Sequence, residues 1–498
     1  MSCTTIKLCF ILCSILLLPS FVISQYYGGE DGKKLDWALF YLSNHYVDSV
    51  DTKPIAEVAL RAIAAELDPY SAYQTAEQLR KQKQADNGVQ TIGVGLKLIV
   101  LDEKPYITNV FPNSPAAQND IRVGDIIDKI DGRSLAGIDA DSISRLLIGE
   151  NNTAVSMRLQ RDNSSLTKEL MRQRIPLVSV EAAFKVDLAI GLIKLRRFTI
   201  KTVEEFHSAM EKLRAAGAND IIIDMRGNNG GVFTAAVELA SQFLPEGSLI
   251  VYTDGHMTER EDHISKIDGP YQNGKIVVLT DGVTASSSEV FIGALQDWDR
   301  VMVIGTPSFG KGLIQQSYGF SDSSALRITI GKYFRPSGQS VQNSSKKPLI
   351  LPNTICVGCE TRQYVDEENV THQTMSGRAL YSLGAGIVPD VLHKGAAYER
   401  PDLRYRVVAR HYFDQKRKLD ANLRSVPEIM ANRDLDQFIS LKDPGISTRN
   451  RIEAKGWLAA LLLDTEAYYE VKSYQDHTIG EALKRLKDSS FKQFGITY

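Results

Sequence analysis

From residue 25 to residue 85 apolar residues recur at helical spacing, as Leu35, Leu39 and Leu42 illustrate. Residues three or four positions apart share one face of a helix. Pro69 interrupts the pattern within the segment LDPYSAY. The segment is therefore predicted to be a small N-terminal helical domain with a turn inside it.

From residue 86 to residue 175 the pattern changes to short strands separated by turns. The segment AVSMRLQR alternates apolar and polar residues, Gly124 and Asp125 mark a turn, and DADSISRLLIG has helical spacing. Alternation with a period of two is typical of strands with one buried face. These residues are predicted to form a separate, compact, barrel-like domain.

From residue 176 to residue 393 strands and helices alternate. The segments DIIIDM and KIVVLT are apolar almost throughout, as expected of strands covered on both faces. Such alternation predicts an α/β layered core, in which the polar stretch 346–380 is an insertion. Helical patterns return after residue 390, so residues 394–498 are predicted to be a C-terminal helical region. Within the core, helices are predicted over residues 203–216, 232–244 and 287–298.

The first residues carry the pattern of a secretory signal. Lys7 precedes an apolar run that extends to Ile23 and ends at the small residue Ser24. The run is short for a membrane span. Residues 1–24 are therefore predicted to be a signal peptide and the protein to be exported, with the periplasm as the expected compartment. The alternative is a segment retained as an anchor, and only then is contact with a membrane expected.

The composition argues against a highly charged partner. The 498 residues carry a net charge of -2 with 24% charged residues, which gives no reason to expect nucleic acid as a partner. Of the five cysteines, only Cys356 and Cys359 lie beyond the signal segment. In an exported chain they are predicted to form a small disulfide, since a zinc site needs two further ligands that the neighbouring sequence lacks. The oligomeric state stays unknown at this level.

The segment DGVTASSSEVFIGALQDWDRVMVIGTPSFGKGLIQQ, residues 281–316, contains a run of serines and a lysine but no histidine. A serine hydroxyl needs a base before it becomes a good nucleophile. A neutral lysine amine can serve when burial lowers its pKa, and Phe309 beside Lys311 is expected to contribute to such a pocket. Taken alone, a serine before a helix is usually a cap, and FGKG is an ordinary turn.

Two helix starts are expected to offer backbone N–H groups to a developing oxyanion. Ser286 directly precedes a predicted helix, so the N–H of Ser287 lies at the positive end of that helix without a helical acceptor. A second donor is expected from DMRGNNGG, where a strand ends at Gly230 and Gly231 before another helix. Taken alone, this glycine segment is most often a strand-to-helix turn.

Together these segments resemble the carboxyl-terminal processing, or tail-specific, protease family. TASSSEVFIGALQD resembles the serine motif of that family, VIGTPSFGKGLIQ its lysine motif, and IIIDMRGNNGG its glycine loop. The resemblance implies a catalytic dyad of Ser286 and Lys311, with Gln315 as a supporting residue that holds the amine towards the hydroxyl.

The same resemblance selects one serine of the run and leaves one of the two oxyanion donors open. The serine of the family lies three residues before a glutamate, which here is Glu289 and therefore selects Ser286. The oxyanion hole predicted from the two helix starts consists of the N–H groups of Gly230 and Ser287. Many relatives carry an Asn-Pro step before the glycines, and this chain has GNNGG instead, so the glycine N–H that faces the oxyanion stays open.

The resemblance also implies that residues 86–175 form a PDZ domain that binds the C-terminal carboxylate of a substrate. IGVGLKL resembles the carboxylate-binding loop, which places the contacts on Gly93, Val94, Gly95 and Leu96. Successive N–H groups of a glycine loop can receive a carboxylate, while the adjacent strand edge pairs with the peptide. Without the resemblance, GVG within a strand is typical of a bulge or of close packing.

The implied fold is an α/β multidomain chain, in which a PDZ domain precedes a ClpP/crotonase-like α/β protease core and helical regions lie at both ends. The implied function is that of an exported serine endopeptidase that recognises protein C-termini and uses no metal or organic cofactor. Its expected partners are proteins or peptides with accessible C-termini. Two alternatives stay open: a proteolytically inactive PDZ-containing scaffold that binds peptides, and a hydratase or isomerase that uses the same core layout for acyl-CoA chemistry.

Overall fold

The structure is a computed structural model, and it divides the chain into two compact units. The first comprises residues 1–79 and 315–329, and the second comprises residues 80–314 and 330–498. No helix in the part of the chain that the structure describes is long and apolar enough to cross a membrane. The predicted signal segment and Cys356 lie outside the described residues. The described residues are 29–86, 89–101, 103–111, 113–161, 164–343, 359–360, 370–382, 386–393, 403–416, 423–463 and 465–496.

A short strand follows the first two helices of the first unit. The carboxylate of Asp68 accepts hydrogen bonds from the N–H groups of Tyr70 and Ser71, at 2.7 and 2.9 Å, and turns the chain after the second helix. Ala72 then lies opposite Arg327 of an antiparallel strand. The predicted helical domain therefore also contains a strand, because its pairing partner is distant in sequence. The elements, numbered in chain order, are α1 (Gly29–His45), α2 (Thr52–Leu67), β1 (Ala72–Gln74), α3 (Ala76–Asp86), β17 (Leu313–Gly319) and β18 (Ala325–Phe334).

Residues 89–176 of the second unit form mainly antiparallel strands. The sheet order is β3-β4-β5-β7-β8, and β2 pairs with β9. Ile107, Ile127 and Met157 of this sheet are fully buried in one core with Ile143 of α5. The elements are β2 (Val89–Gly93), β3 (Leu96–Leu101), β4 (Lys104–Val110), α4 (Pro115–Gln118), β5 (Ile126–Ile130), β6 (Arg133–Ser134), α5 (Ala140–Leu147), β7 (Ala154–Arg161), β8 (Ser164–Met171) and β9 (Gln173–Pro176).

A seven-stranded sheet forms the centre of the second unit. Its order is β10-β11-β12-β15-β16-β22-β19, and the neighbours from β11 to β22 are parallel. The elements of this region are β10 (Val180–Lys185), β11 (Ile190–Leu195), α6 (Thr202–Ala215), β12 (Asp220–Asp224), α7 (Phe233–Ser241), β13 (Leu249–Asp254), β14 (Glu261–Ile264), β15 (Ile276–Thr280), α8 (Ser287–Asp297), β16 (Met302–Gly305), β19 (Cys359–Glu360), β20 (Val370–Gln373), β21 (Ala379–Tyr381) and β22 (Val391–Leu392).

Both faces of this sheet are covered, as the apolar strands predicted. Ile221 and Ile223 of β12 belong to a core cluster with residues of α6, α7 and α8. Ile222 belongs to a second cluster with Ile479 and Leu486. Ile479 and Leu486 belong to α14, which packs on this second face of the sheet. The helices of the C-terminal region are α9 (Leu403–Lys416), α10 (Val426–Ala431), α11 (Arg433–Lys442), α12 (Thr448–Leu462), α13 (Thr465–Ser473), α14 (His477–Lys487) and α15 (Ser490–Gln493).

The α/β multidomain fold is confirmed, and the differences concern short strands. Strands β10 and β14 were not predicted, and β22 lies where helical patterns were expected to begin. Val391 and Leu392 of β22 are buried and complete the parallel sheet. A strand of two residues is too short to show an alternating pattern, so only its partners in the sheet reveal it.

Candidate active site

Ser286 lies at the tight connection between β15 and α8. Oδ1 of the buried Asp281 accepts hydrogen bonds from the N–H groups of Gly227, Val283 and Thr284, each at 3.0 Å. These bonds turn the chain and bring Ser286 to the N-cap of α8 with a φ of +60°. A positive φ is uncommon for a residue with a side chain, and such residues cluster at functional sites.

The carboxylate of Glu289 joins the serine segment to the lysine segment. Glu289 is fully buried on α8. Its Oε2 accepts hydrogen bonds from the backbone N–H groups of Ser286 and Lys311, each at 2.8 Å, so the two nitrogens lie within twice that distance of each other. Its Oε1 accepts from the Ser308 hydroxyl at 2.6 Å and from the Gly310 N–H at 2.7 Å. One side chain therefore holds the backbone of both dyad candidates.

In its ionised form the Glu289 carboxylate accepts all four of these hydrogen bonds. Burial raises the pKa of the Glu289 carboxyl, although these hydrogen bonds act in the opposite direction. Sequence reasoning used Glu289 only to select Ser286 and missed its contacts. The spacing Ser-x-x-Glu before an apolar helix is the signal of a capping box, and it predicts the bond to the Ser286 N–H. The contact with residues 308–311 has no local signal.

Backbone N–H groups without an acceptor in the described part of the chain lie around Ser286. The N–H groups of Ser287 and Gly231 have no acceptor among the residues that the structure describes. The Gly230 N–H donates to Asn228 Oδ1 at 3.0 Å. A β-carbon on Gly230 would lie 2.9 Å from Ser286 Cβ and 3.0 Å from Ser287 N, so only glycine allows this approach. The structure thus brings the glycine loop against Ser286 and Ser287.

Asn228 holds the glycine loop between a strand and the serine segment. Its Nδ2 donates to the carbonyl oxygen of Leu195 on β11 at 3.0 Å. Its own carbonyl oxygen accepts from the N–H of Ala285 at 3.0 Å and from the Ser288 hydroxyl at 3.1 Å. Ser288, the third serine of the run, is therefore a structural anchor, as is Ser287, whose Oγ donates to the Gly231 carbonyl oxygen at 2.9 Å.

Lys311 precedes β17, and Gln315 lies on it. Lys311 is partly buried, and its carbonyl oxygen accepts a hydrogen bond from the Tyr333 hydroxyl. Phe309, which was expected to enclose the lysine, is 48% exposed and does not form a closed apolar wall. Gln315 Nε2 donates to Thr329 Oγ1 at 3.3 Å. The roles of Lys311 and Gln315 stay predictions.

A buried group of charges lies directly before the glycine loop. Asp224 at the end of β12 lies 2.8 Å from Arg226 Nη2 and 3.1 Å from Lys194 Nζ. Burial alone would raise the pKa of the Asp224 carboxyl, but Arg226 and Lys194 hold it below its ordinary value. Sequence reasoning missed this cluster because its members lie on different strands.

Residues 93–96 form a tight connection between β2 and β3. Gly95 has a φ of +79°, and a β-carbon there would lie 2.2 Å from Ser114 Cβ. Val94 is buried, and its carbonyl oxygen accepts from the N–H of Ala116 at 2.9 Å. Within the described ranges, the N–H groups of Val94 and Gly95 have no acceptor. The segment is closely packed and still offers two successive donors.

Comparison with known proteins matches two parts of the chain. Residues 106–161 match the PDZ domain, and residues 189–351 match peptidase family S41. A "Probable CtpA-like serine protease" of Staphylococcus haemolyticus is 30% identical over 321 residues, which are 64% of this chain and 64% of that protein. The protein of the same name from Staphylococcus aureus (strain COL) is 30% identical over 315 residues, 63% of each chain. Residues 189–351 of this chain are thus similar to peptidase family S41.

The S41 match contains the features described above. Ser286, Lys311, Glu289 and the glycine loop all lie within residues 189–351. The matched part spans just under two thirds of the length of the staphylococcal relatives. Among solved structures, the photosystem II D1 C-terminal processing protease is 27% identical, with a TM-score of 0.39 and coverage of 64% of this chain and 85% of that chain.

Proposed function

We propose that this protein is an exported serine endopeptidase that recognises protein C-termini through its PDZ domain and cleaves the chain upstream of them. The match of residues 189–351 to peptidase family S41 supports the hydrolytic chemistry. The observation that carries the proposal is the shared Glu289 carboxylate, one oxygen of which accepts the N–H groups of both Ser286 and Lys311 at 2.8 Å. Export rests on the signal pattern of residues 1–24.

In the proposed mechanism, the neutral amine of Lys311 takes the proton of Ser286 Oγ while that oxygen attacks the carbonyl carbon of the substrate. The N–H of Ser287 and an N–H of the glycine loop, at Gly230 or Gly231, hold the oxyanion. The lysine then returns its proton to the leaving nitrogen. Water resolves the acyl-enzyme with the same amine as base, and Gln315 is proposed to support that amine.

The backbone donors of residues 93–96 are proposed to receive the C-terminal carboxylate of the substrate. The unpaired N–H groups of Val94 and Gly95 support this assignment. Leu96 begins β3, and this strand is proposed to pair with the substrate backbone. The proposed substrates are accordingly proteins or peptides whose C-termini are accessible.

The test compares wild type with Ser286→Ala and Lys311→Met in cleavage of an unfolded protein, followed by mass spectrometry. Both variants are expected to lose cleavage by about 10³-fold or more, because nucleophile and base act as a unit. Ser323→Ala and Lys332→Met are the controls. Ser323 is another serine with a positive φ, +66°, and Lys332 is an exposed lysine on β18.

Equal cleavage by wild type and Ser286→Ala would overturn the proposed dyad. A wild type that binds peptides with a free C-terminus but never cleaves them would identify the protein as a peptide-binding scaffold instead. Loss of cleavage in both control variants would indicate that the assay reports stability rather than chemistry.

A further inference from the structure

Arg226 connects the glycine loop to the C-terminal helical region. It lies two residues beyond the end of β12 and is 6% exposed. Its Nη2 lies 2.8 Å from Oδ2 of Asp224 and 2.8 Å from Oδ2 of Asp476, the N-cap of α14. The guanidinium therefore bridges the central sheet and a helix that follows it by some 250 residues of sequence.

Asp476 adds a second carboxylate to this cluster of charges. Lys194 and Arg226 are the cations, and Asp224 and Asp476 are the anions. Lys194 also donates to the carbonyl oxygen of Arg226 at 2.8 Å. Burial lowers the pKa of Arg226, but Asp224 and Asp476 together raise it above its ordinary value. Without the Asp476 carboxylate, the buried guanidinium of Arg226 keeps only one of its two carboxylate partners, which is unfavourable in a site of low dielectric constant.

Asp476 is held in place by the helix that it caps. Its Oδ1 accepts hydrogen bonds from the N–H groups of Thr478 and Ile479, at 3.0 and 3.1 Å. Ile479 packs in the same buried cluster as Ile222 of the central sheet. The second oxygen of Asp476 therefore faces Arg226 because α14 is packed on the sheet.

The backbone after Arg226 leads to the serine. The carbonyl oxygen of Asn228 accepts from the N–H of Ala285, the residue before Ser286, at 3.0 Å. Gly230 approaches so closely that a β-carbon on it would lie 2.9 Å from Ser286 Cβ. A displacement of Arg226 therefore shifts the loop that faces the reacting hydroxyl.

We infer that Asp476 is a positioning residue, which acts through Arg226 to hold the glycine loop 227–231 in the geometry that turnover requires. Its catalytic consequence rests on the proposed function. Asp476 lies outside the residues that match the S41 family, so this role belongs to the C-terminal helical region of this chain. A displaced loop moves an oxyanion donor away from the position where charge develops, which lowers kcat more than it changes substrate binding.

Asp476→Asn is the decisive variant, because asparagine keeps the capping oxygen and removes the charge that faces Arg226. The matched control is Asp488→Asn in the same region, where Oδ1 accepts from the N–H of Ser490 at 2.7 Å. We expect kcat of Asp476→Asn to fall about tenfold with KM within about twofold, since outright loss of an oxyanion donor costs about 10²–10³. Asp476→Glu keeps the charge and is expected to recover most of kcat, and the control is expected to match wild type.

A second measurement does not depend on proteolysis. In a Ser286→Ala background, amide hydrogen exchange in residues 227–231 is expected to be faster with Asp476→Asn than with Asp488→Asn, while exchange in β15 is unchanged. If wild type cleaves no substrate, the proposed function fails. The exchange comparison alone then tests whether the contact between Asp476 and Arg226 holds the glycine loop in place.

Three results would overturn the inference. The first is loop exchange in Asp476→Asn equal to that in Asp488→Asn. The second, with an active wild type, is equal kcat in these two variants. The third is faster exchange throughout the core or an equal kcat loss in the control, since either would indicate general destabilisation rather than positioning.

Discussion

Glu289 organises two segments of the site from one buried position. Its oxygens accept the N–H groups of Ser286 and Lys311 as well as the Ser308 hydroxyl and the Gly310 N–H. A serine held at a φ of +60° carries a conformational cost of about 1–3 kcal/mol. The surrounding hydrogen bonds must therefore stabilise this backbone conformation by more than that cost. The residue that reacts thus depends on a neighbour that never touches the substrate in the proposed mechanism.

Glu289→Gln tests this dependence. The amide group replaces one acceptor oxygen with a donor, so two of the four donors lose their acceptor. We expect the free energy of unfolding to fall by about 3 kcal/mol, and kcat to fall by about 10²-fold because both dyad candidates shift. Urea unfolding and peptide hydrolysis measure the two effects, with the exposed Glu238→Gln on α7 as control. A Glu289→Gln protein as stable and active as this control would contradict the assigned role.

The register between β11 and β12 places a buried ion pair beside the glycine loop. In the parallel pairing, Lys194 lies opposite Asp224. The apolar residues Ile221, Ile222 and Ile223 precede Asp224 and are covered on both faces. An element that is apolar for most of its length therefore ends in a carboxylate whose charge is balanced by a neighbouring strand.

Asp224→Asn should destabilise the protein in a way that depends on pH. It leaves Lys194 and Arg226 with one carboxylate fewer, which we expect to cost about 3–5 kcal/mol of unfolding free energy near neutral pH. The pKa of Asp224 in the folded protein lies below its ordinary value of 3.8. Its contribution is therefore fully present above about pH 5 and is lost as the pH falls below 3.8 towards the folded-state pKa.

Urea titrations across this pH range check the prediction, and the stability difference between variant and wild type should narrow in acid. Asp220→Asn, at the start of the same strand, is the control, because its carboxylate accepts only the N–H of Lys275 among the contacts described, at 2.8 Å. A difference that stays constant down to low pH would contradict the assignment of the ion pair as its source.

For the whole molecule, the proposed function requires that two domains act on one substrate. The PDZ match lies in the second compact unit, and the S41 match lies in that unit except for residues 315–329. The loop at 93–96 is proposed to bind the C-terminus, and the Ser286 site is proposed to cut upstream of it. Binding energy from the remote carboxylate then contributes to cleavage only if both sites engage the same chain.

Gly95→Ala tests this coupling against a closely matched control. Gly95 and Gly132 have φ values of +79° and +78°, but a β-carbon meets Ser114 Cβ at 2.2 Å at the first position and no atom within 4 Å at the second. Both alanines carry a backbone cost of about 1–2 kcal/mol, and only Gly95→Ala displaces the loop. We expect it to raise KM for a peptide with a free C-terminus about tenfold, to the value for the amidated peptide. Equal hydrolysis of both peptides by wild type would contradict a role for the carboxylate.

Local patterns in the sequence were enough for the order and type of most elements. The helix predicted over 203–216 is observed at Thr202–Ala215, and the one predicted over 287–298 is observed at Ser287–Asp297. Periodicity and capping depend on residues within a few positions of one another, so they can be recognised along the chain. For the same reason the sequence located Ser286 at a helix start and the glycine loop at the end of a strand.

Only the tertiary structure decided which of these segments meet. The sharing of Glu289 between Ser286 and Lys311, the pairing of Lys194 with Asp224, and the approach of Asp476 to Arg226 all join residues distant in sequence. Local periodicity in the sequence cannot predict such contacts, because strand register and the packing of α14 on the sheet are properties of the whole core. The chain alone thus determined what each segment is, and the fold determined which charges and donors each one faces.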